Sequence, residues 1–209
     1  MTEIRIATPS DAAQMLSIYT PYITNNAISF EVTVPSVAEF EQRITATLGY
    51  YPWLACESAG RVVGYAYASQ HRERQAYQWS VECSVYVDQD HRRKAIGLAL
   101  YTSLFACLRL QGYANVLAGI TLPNVASQTL HERLGFEPVG MYKNIGYKLG
   151  AWSNVWWGQL TLSDLPDHPS PAKVIADISG TPAWQIALAS GNNFSPNPPR
   201  LPSHRYSEI

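Results

Sequence analysis

The chain has 209 residues, a formal net charge of −1, 15% charged and 46% hydrophobic residues. That length supports one substantial domain with its own core, and that composition excludes a disordered polymer. The near-neutral balance provides no global field for nucleic acid or an acidic membrane, so any anion site has to be local; no apolar run approaches the length of a membrane span.

EIRIA (3–7) alternates as a short strand, and TPSD supplies N-cap chemistry for a helix from about Asp11 to Tyr22. The opening residues lack the basic region and long apolar core of a signal peptide. Residues 23–34 read as a loop carrying Ile28 and Phe30. Ser36 and Glu39 have capping-box spacing and open a second helix that ends near Gly49. WLACES (53–58) and VVGYAYAS (62–69), joined by SAGR, predict a hairpin. The polar, basic stretch QHRERQAY (70–77) leads into the strand WSVECSVYV (79–87). A helix follows from Gly97 to Gln111, with Leu100, Leu104, Cys107 and Leu108 on one face. ANVLAGI (114–120) is a wholly apolar strand of the kind covered on both faces. A helix over 125–134 is closed by Gly135. FEPVGMY (136–142) and NVWWGQLTL (154–162) read as the last strands.

This order predicts an α/β or α+β fold, a mixed sheet with helices packed on its faces. The run 79–120 is a candidate parallel unit with a right-handed crossover. The domain is expected to end near residue 165. Eight of the 14 prolines fall within 166–209, so a flexible extension is expected there, although AWQIALA (183–189) keeps the pattern of a short docked helix. Cys56, Cys83 and Cys107 lie in apolar segments and are expected as buried free thiols in a reducing cytoplasm.

Alternation along 79–87 puts Glu82, Ser84 and Tyr86 on one face and Val81, Cys83, Val85 and Val87 on the other. A carboxylate inside so apolar a strand is costly unless solvated in a cleft or paired. It is therefore either a salt-bridged structural residue or a general base. Immediately downstream, Arg92, Arg93 and Lys94 precede Ala95, Ile96, Gly97 and Leu98 where a loop enters a helix. The unpaired N–H groups and dipole of a helix start suit a diphosphate, though a basic cluster there is also commonly just solvated. The five histidines have no ligand partners at short spacing, so no metal site is expected.

The segment R-R-K-A-I-G resembles the R/Q-x-x-G-x-G/A motif with which GNAT acetyltransferases hold the coenzyme A pyrophosphate, with Arg92, Ala95 and Gly97 at the marked places. Ala95 replaces the first glycine, a departure that matters if its φ is positive. YPWLACE, R-x-R-x-A-Y-x-W (72–79), E-x-S-V-Y-V (82–87), LPN-x-x-S (122–127), LHERLGF (130–136) and GYKLGAW (146–152) narrow the likeness. Over about residues 3–162 the chain resembles the phosphinothricin N-acetyltransferases.

That resemblance implies acetyl-CoA as co-substrate, bound where the fourth and fifth strands part. The backbone of Val85, Tyr86 and Val87 would hold the pantetheine, residues 93–98 the pyrophosphate, and Asn124 and Ser127 would also touch the coenzyme. Glu82 would take the proton of the substrate ammonium. His131 would be the second catalytic residue, as acid or base, with Tyr86 a further candidate. Phe30, Arg72, Arg74, Tyr77 and Tyr86 would line the acceptor pocket, where paired guanidinium groups suit a phosphinate and a carboxylate. The implied acceptor is phosphinothricin or a close glutamate analogue. Methionine sulfone or sulfoximine, an arsinate analogue or an ordinary metabolite are alternatives. A non-catalytic acyl-CoA-binding protein is the alternative of another class. The resemblance also implies a homodimer.

Overall fold

The structure is a computed structural model and describes residues 2–192. Its strands are β1 (Thr2–Ile6), β2 (Trp53–Ser58), β3 (Arg61–Gln70), β4 (Ser80–Val87), β5 (Asn115–Thr121), β6 (Glu137–Lys148) and β7 (Ala151–Thr161). Its helices are α1 (Ala12–Thr24), α2 (Val37–Leu48), α3 (Ile96–Gln111), α4 (Val125–Arg133), α5 (Ile175–Ile178) and α6 (Pro182–Ala189).

The local signals act as their chemistry predicts. Ser36 and Glu39 form the reciprocal capping box of α2, with Glu39 N–H on Ser36 Oγ at 3.2 Å and Ser36 N–H on Glu39 Oε2 at 2.7 Å. Gly135, at φ 90°, follows the end of α4.

One seven-stranded sheet runs in the order β1-β2-β3-β4-β5-β7-β6. Every neighbouring pair is antiparallel except β4 and β5. That parallel pair, bridged by α3, is the unit predicted over 79–120. Its ladder is short: it spans Ser80↔Asn115 to Glu82↔Leu117, whereas β4 continues to Val87 and β5 to Thr121. The two strands therefore part just past Glu82.

Two cores flank the sheet. Val81, Cys83, Val116 and Ala118 pack under Leu100, Leu104 and Leu108 of α3. On the opposite face, Trp53, Tyr65 and Ala55 pack under Met15, Tyr19, Phe40 and Ile44 of α1 and α2. Burying an aliphatic or aromatic side chain contributes about 1.5–3 kcal/mol, so these layers fix both helix positions and strand parity.

Two expectations change. First, β6 runs to Lys148, well past the predicted end at Tyr142, and β7 starts slightly earlier, at Ala151, after a turn with Leu149 at φ 52° and Gly150 at φ 81°. Register shifts between Pro138 and Gly140 and between Tyr142 and Gly146 break the two-residue alternation, which hides the far half of β6 in the sequence. Second, the segment from 166 is not a free extension up to residue 192. Trp184, Ile175, Ile178 and Ala187 close over Cys107 of α3. Ser103 Oγ donates to Leu188 C=O at 2.7 Å and accepts from Gly191 N–H at 3.0 Å, and Ile4 N–H donates to Asn192 Oδ1 at 2.8 Å. A few well-spaced apolar groups anchor this proline-rich chain, so composition alone misjudges it. The closing run SPNPPRLPSHRYSEI lies outside the described residues.

Candidate active site

The face of β4 that carries Glu82, Ser84 and Tyr86 looks toward α1 and α2. The Tyr86 ring meets Tyr19 edge-on at 4.7 Å, Tyr22 at 5.2 Å and Tyr65 at 5.4 Å. Burial holds its phenol well above the ordinary value, so it remains protonated at neutral pH. Glu82 stands opposite Ser69 of β3, and one of its oxygens lies 2.9 Å from His71 Nδ1. Its side chain is one-third exposed (34%), a carboxylate in a cleft rather than sealed in the core.

Arg72, Arg74 and Tyr77 occupy the exposed loop between β3 and β4, next in chain to His71. Neither arginine forms an ion pair among the described residues, so both guanidinium groups are open to an anion. Tyr77 turns its ring edge-on to His71 at 5.7 Å. Phe30 lies against Gly146 of β6, where a side chain on residue 146 would collide with the ring. Lys148 Nζ donates to Ser29 C=O at 2.6 Å, fastening the same loop to the β6–β7 hairpin. Burial lowers this lysine, and Glu31 partly offsets that. A cavity of about 170 Å³ opens beside them, lined by Tyr19, Glu31, Arg43 and Tyr67 among others. The Glu31 carboxylate there is held by Arg43 at 2.7 Å and by Tyr19 Oη at 3.0 Å.

The anion loop follows β4. Arg93 has φ 61° and Ala95 has φ 60°, both left-handed. A left-handed residue followed by helical ones turns successive N–H groups toward one point, a concavity suited to an anion. The first helical bond of α3 runs from Ala99 N–H to Ala95 C=O, so the N–H groups of Ile96, Gly97 and Leu98 precede the helical ladder. Gly97 lets this first turn approach the sheet: a Cβ there would lie 3.3 Å from Leu130 and 3.8 Å from Val85 and Val87. The left-handed alanine costs roughly 1–2 kcal/mol that glycine would not. Arg92 does not join the concavity in this structure. Its guanidinium lies over the Tyr22 ring at 5.3 Å, and Tyr22 Oη donates to Val87 C=O at 2.7 Å.

His131 lies on α4 and does not share a face with Glu82. Its ring meets Tyr101 at 5.3 Å and Phe136 at 4.8 Å, in the layer packed against α3. The ring is almost wholly buried, and its Nδ1 is 2.8 Å from Ser127 C=O. A carbonyl only accepts, so Nδ1 carries the hydrogen. Burial lowers the imidazole below its ordinary value, against a smaller opposing effect of that carbonyl. The ring is therefore neutral at pH 7 and Nε2 bears a lone pair. That nitrogen is buried and has no partner among the described residues. Asn124 caps α4, its Oδ1 accepting from Ser127 N–H at 3.2 Å, which leaves the amide NH2 for other contacts.

Burial pushes the Cys83 and Cys107 thiols up to about 12 and Cys56 to about 11, so none is a nucleophile near neutrality. Among the described residues there is no group of three or more His, Cys, Asp or Glu placed to hold a metal, and no helix is long and apolar enough to cross a membrane.

Sequence reasoning missed His71, Trp157 and Lys148. Trp157 pairs with Gly119 across β5 and β7, its ring covers that glycine at 3.1 Å from a notional Cβ, and it lies 6.3 Å from His71. These contacts depend on strand register, which no local pattern encodes.

Residues 4–157 match the acetyltransferase (GNAT) domain family. The phosphinothricin N-acetyltransferase of Streptomyces viridochromogenes is 38% identical over 176 residues, covering 84% of this chain and 96% of that protein. The L-methionine sulfoximine/L-methionine sulfone acetyltransferase of Pseudomonas paraeruginosa is 35% identical over 170 residues, covering 79% and 98%. The crystal structure of a phosphinothricin acetyltransferase from Sinorhizobium meliloti in complex with AcCoA superposes with a TM-score of 0.76 at 33% identity, covering 81% of this chain and 96% of that one. With a parallel strand pair that parts beside a helix-start anion loop, and with these relatives, the chain belongs to the GNAT acetyltransferase family.

Proposed function

We propose that the protein is an acetyl-CoA-dependent N-acetyltransferase for the α-amino group of phosphinothricin or a close glutamate analogue, with Glu82 as general base. The observation that carries this reading is the position of the one-third-exposed Glu82 carboxylate. It stands at the point where β4 leaves β5, bonded to His71 at the start of the loop that carries Arg72, Arg74 and Tyr77, on the strand that ends in the anion loop. Two exposed arginines without ion-pair partners among the described residues favour an acceptor with two anionic groups. Methionine sulfone and sulfoximine form the second reading, favoured by the relative that bears those substrates in its name.

In this mechanism Glu82 takes one proton from the substrate ammonium, directly or through a water. The freed amine attacks the thioester carbonyl carbon, and the carbon–sulfur bond breaks as the carbon–nitrogen bond is retained. The nitrogen sheds a second proton and the departing sulfur takes one up, so one proton is released per turnover. Backbone N–H groups of residues 93–98 and the side chains of Arg93 and Lys94 would hold the pyrophosphate, with Asn124 and Ser127 near the coenzyme. His131 would serve on the coenzyme side as a hydrogen-bond acceptor through Nε2, which is buried without a partner among the described residues and has to be uncovered for that contact. It cannot protonate a thiolate before it has itself been charged.

A homodimer accompanies this reading. β6 is the edge of the sheet and exposes Val139, Met141, Ile145 and Tyr147, a surface suited to a second copy. Light scattering on a sizing column would read the mass directly. Three buried free thiols suit a cytoplasmic setting.

A coupled thiol-release assay with acetyl-CoA and a panel of amino acids tests the activity. Turnover of phosphinothricin well above methionine sulfone is expected. The reverse order transfers the assignment to the sulfone, and no turnover with any amine, despite acetyl-CoA binding, leaves a non-catalytic binding protein. Glu82→Gln should lower kcat by about 100-fold or more while acetyl-CoA affinity holds.

A further inference from the structure

Glu82 has one hydrogen-bond partner among the described residues, and it is a histidine that lies outside every motif identified in the sequence. His71 follows the last residue of β3, and its side chain is 12% exposed, less than the glutamate it serves. Its Nδ1 is 2.9 Å from Glu82 Oε1. Two rings fix the imidazole plane edge-on: Tyr77 at 5.7 Å and 78°, and Trp157 at 6.3 Å and 67°. An ionised carboxylate only accepts, so the bond requires a hydrogen on Nδ1.

This contact solves a placement problem. Glu82 must keep an oxygen available for the incoming ammonium. Yet Arg72 and Arg74 sit in the adjoining loop, exposed and without ion-pair partners among the described residues. A carboxylate with no fixed donor could turn to form a bidentate pair with any guanidinium of that loop that came within reach. That pair would occupy both oxygens and remove an acceptor-binding cation at once. A donor locked by two aromatic rings holds one oxygen and leaves the other.

We propose that His71 is the positioning residue of the general base: its Nδ1–H holds Glu82 Oε1, so that Oε2 faces the acceptor amine and the two arginines stay free for the acceptor's anionic groups. The inference rests on Glu82 being the base.

The test compares two substitutions with opposite virtues. His71→Phe keeps a ring between Tyr77 and Trp157 but removes the donor. His71→Asn loses the ring but places an amide N–H near the position of Nδ1. Purified variants are assayed for kcat and for both KM values, with acetyl-CoA affinity by calorimetry and thermal unfolding as controls of fold. His71→Phe should lower kcat by about 30-fold with acetyl-CoA affinity unchanged, and His71→Asn should return kcat to within about fivefold of the parent. In a Glu82→Gln background, His71→Phe should have no further effect.

A packing role gives the reverse order, with Phe benign and Asn damaging, and overturns the proposal. So does a His71→Phe variant with parental kcat. If Glu82→Gln is inactive and His71→Phe is active, this inference alone fails. If Glu82→Gln is itself fully active, the general-base reading fails and takes this inference with it.

Discussion

The ring of Phe30 fills the space that a side chain at Gly146 would need. The first long loop and the β6–β7 hairpin, more than 100 residues apart in sequence, are thus locked at one point, with the Lys148–Ser29 bond beside it. In Gly146→Ala the ring is the softer partner, because Phe30 is 39% exposed and free to swing outward. The melting temperature should therefore change little, by an equivalent of about 1 kcal/mol or less, whereas KM for the acceptor rises by about five- to tenfold. Steady-state kinetics with varied acceptor, alongside thermal unfolding, separates the two effects.

Ala95 holds a left-handed conformation at the mouth of the anion loop. Ala95→Gly should be tolerated and should leave stability within about 1 kcal/mol of the parent, since released strain and lost chain stiffness oppose each other. Ala95→Val puts a branched side chain at φ 60°, and should raise KM for acetyl-CoA by about tenfold or more while sparing the acceptor. Isothermal titration with coenzyme A reads this loop without turnover.

His131 contributes a pH dependence whose sign follows from its environment. Its imidazole is lowered by burial in the folded state and ordinary, near 6.5, in the unfolded chain. The unfolded chain therefore binds more protons below that value. The contribution is fully present above about pH 6.5 and is lost as pH falls through the lower folded value. Urea midpoints between pH 7.5 and 5 should fall less steeply in His131→Phe than in the parent. Equal slopes would mean that the ring is not held neutral.

Trp184 is the keystone of the C-terminal segment, 1% exposed among Cys107, Ile175 and Ile178. Trp184→Ala should cost about 3–5 kcal/mol of stability. It should nevertheless leave kcat at 25 °C near the parental value, because the residue lies behind α3 and away from Glu82. A denaturant titration and one rate measurement check both halves.

Much of the coenzyme side is legible in the sequence. A strand, a basic turn and a helix start are local signals, and Glu82 through Leu98 carries all three without interruption. The acceptor side is less so. Arg72, Arg74 and Tyr77 can be named from a motif, but the His71–Glu82 bond requires the antiparallel register of β3 on β4, and Trp157 over Gly119 requires that of β5 on β7. Those registers are set by side chains distant in the chain. Both strands of the β6–β7 hairpin are legible, but the length of β6 is not: two register shifts scramble the pattern on which strand reading depends. The segment after 166 misleads because proline content reports on chain flexibility, whereas one tryptophan and a few aliphatic groups decide docking.

The parting of β4 and β5 has a further consequence for competing chemistry. The sheet is a wall, with Glu82 on one side and the sealed His131 layer on the other, and this gap is its doorway. Under the proposed function, a thioester carbonyl presented there would lie beside Glu82, whose side chain is one-third exposed to solvent. Water is the rival nucleophile, present at vast excess over any amino acid, and that exposure admits it as well. On that reading, fidelity toward an amine over water falls to the groups gathered at Glu82: His71 and the Tyr77 and Trp157 rings that meet it. Variants that thin this screen would be expected to waste acetyl-CoA by hydrolysis before they lose the ability to acetylate.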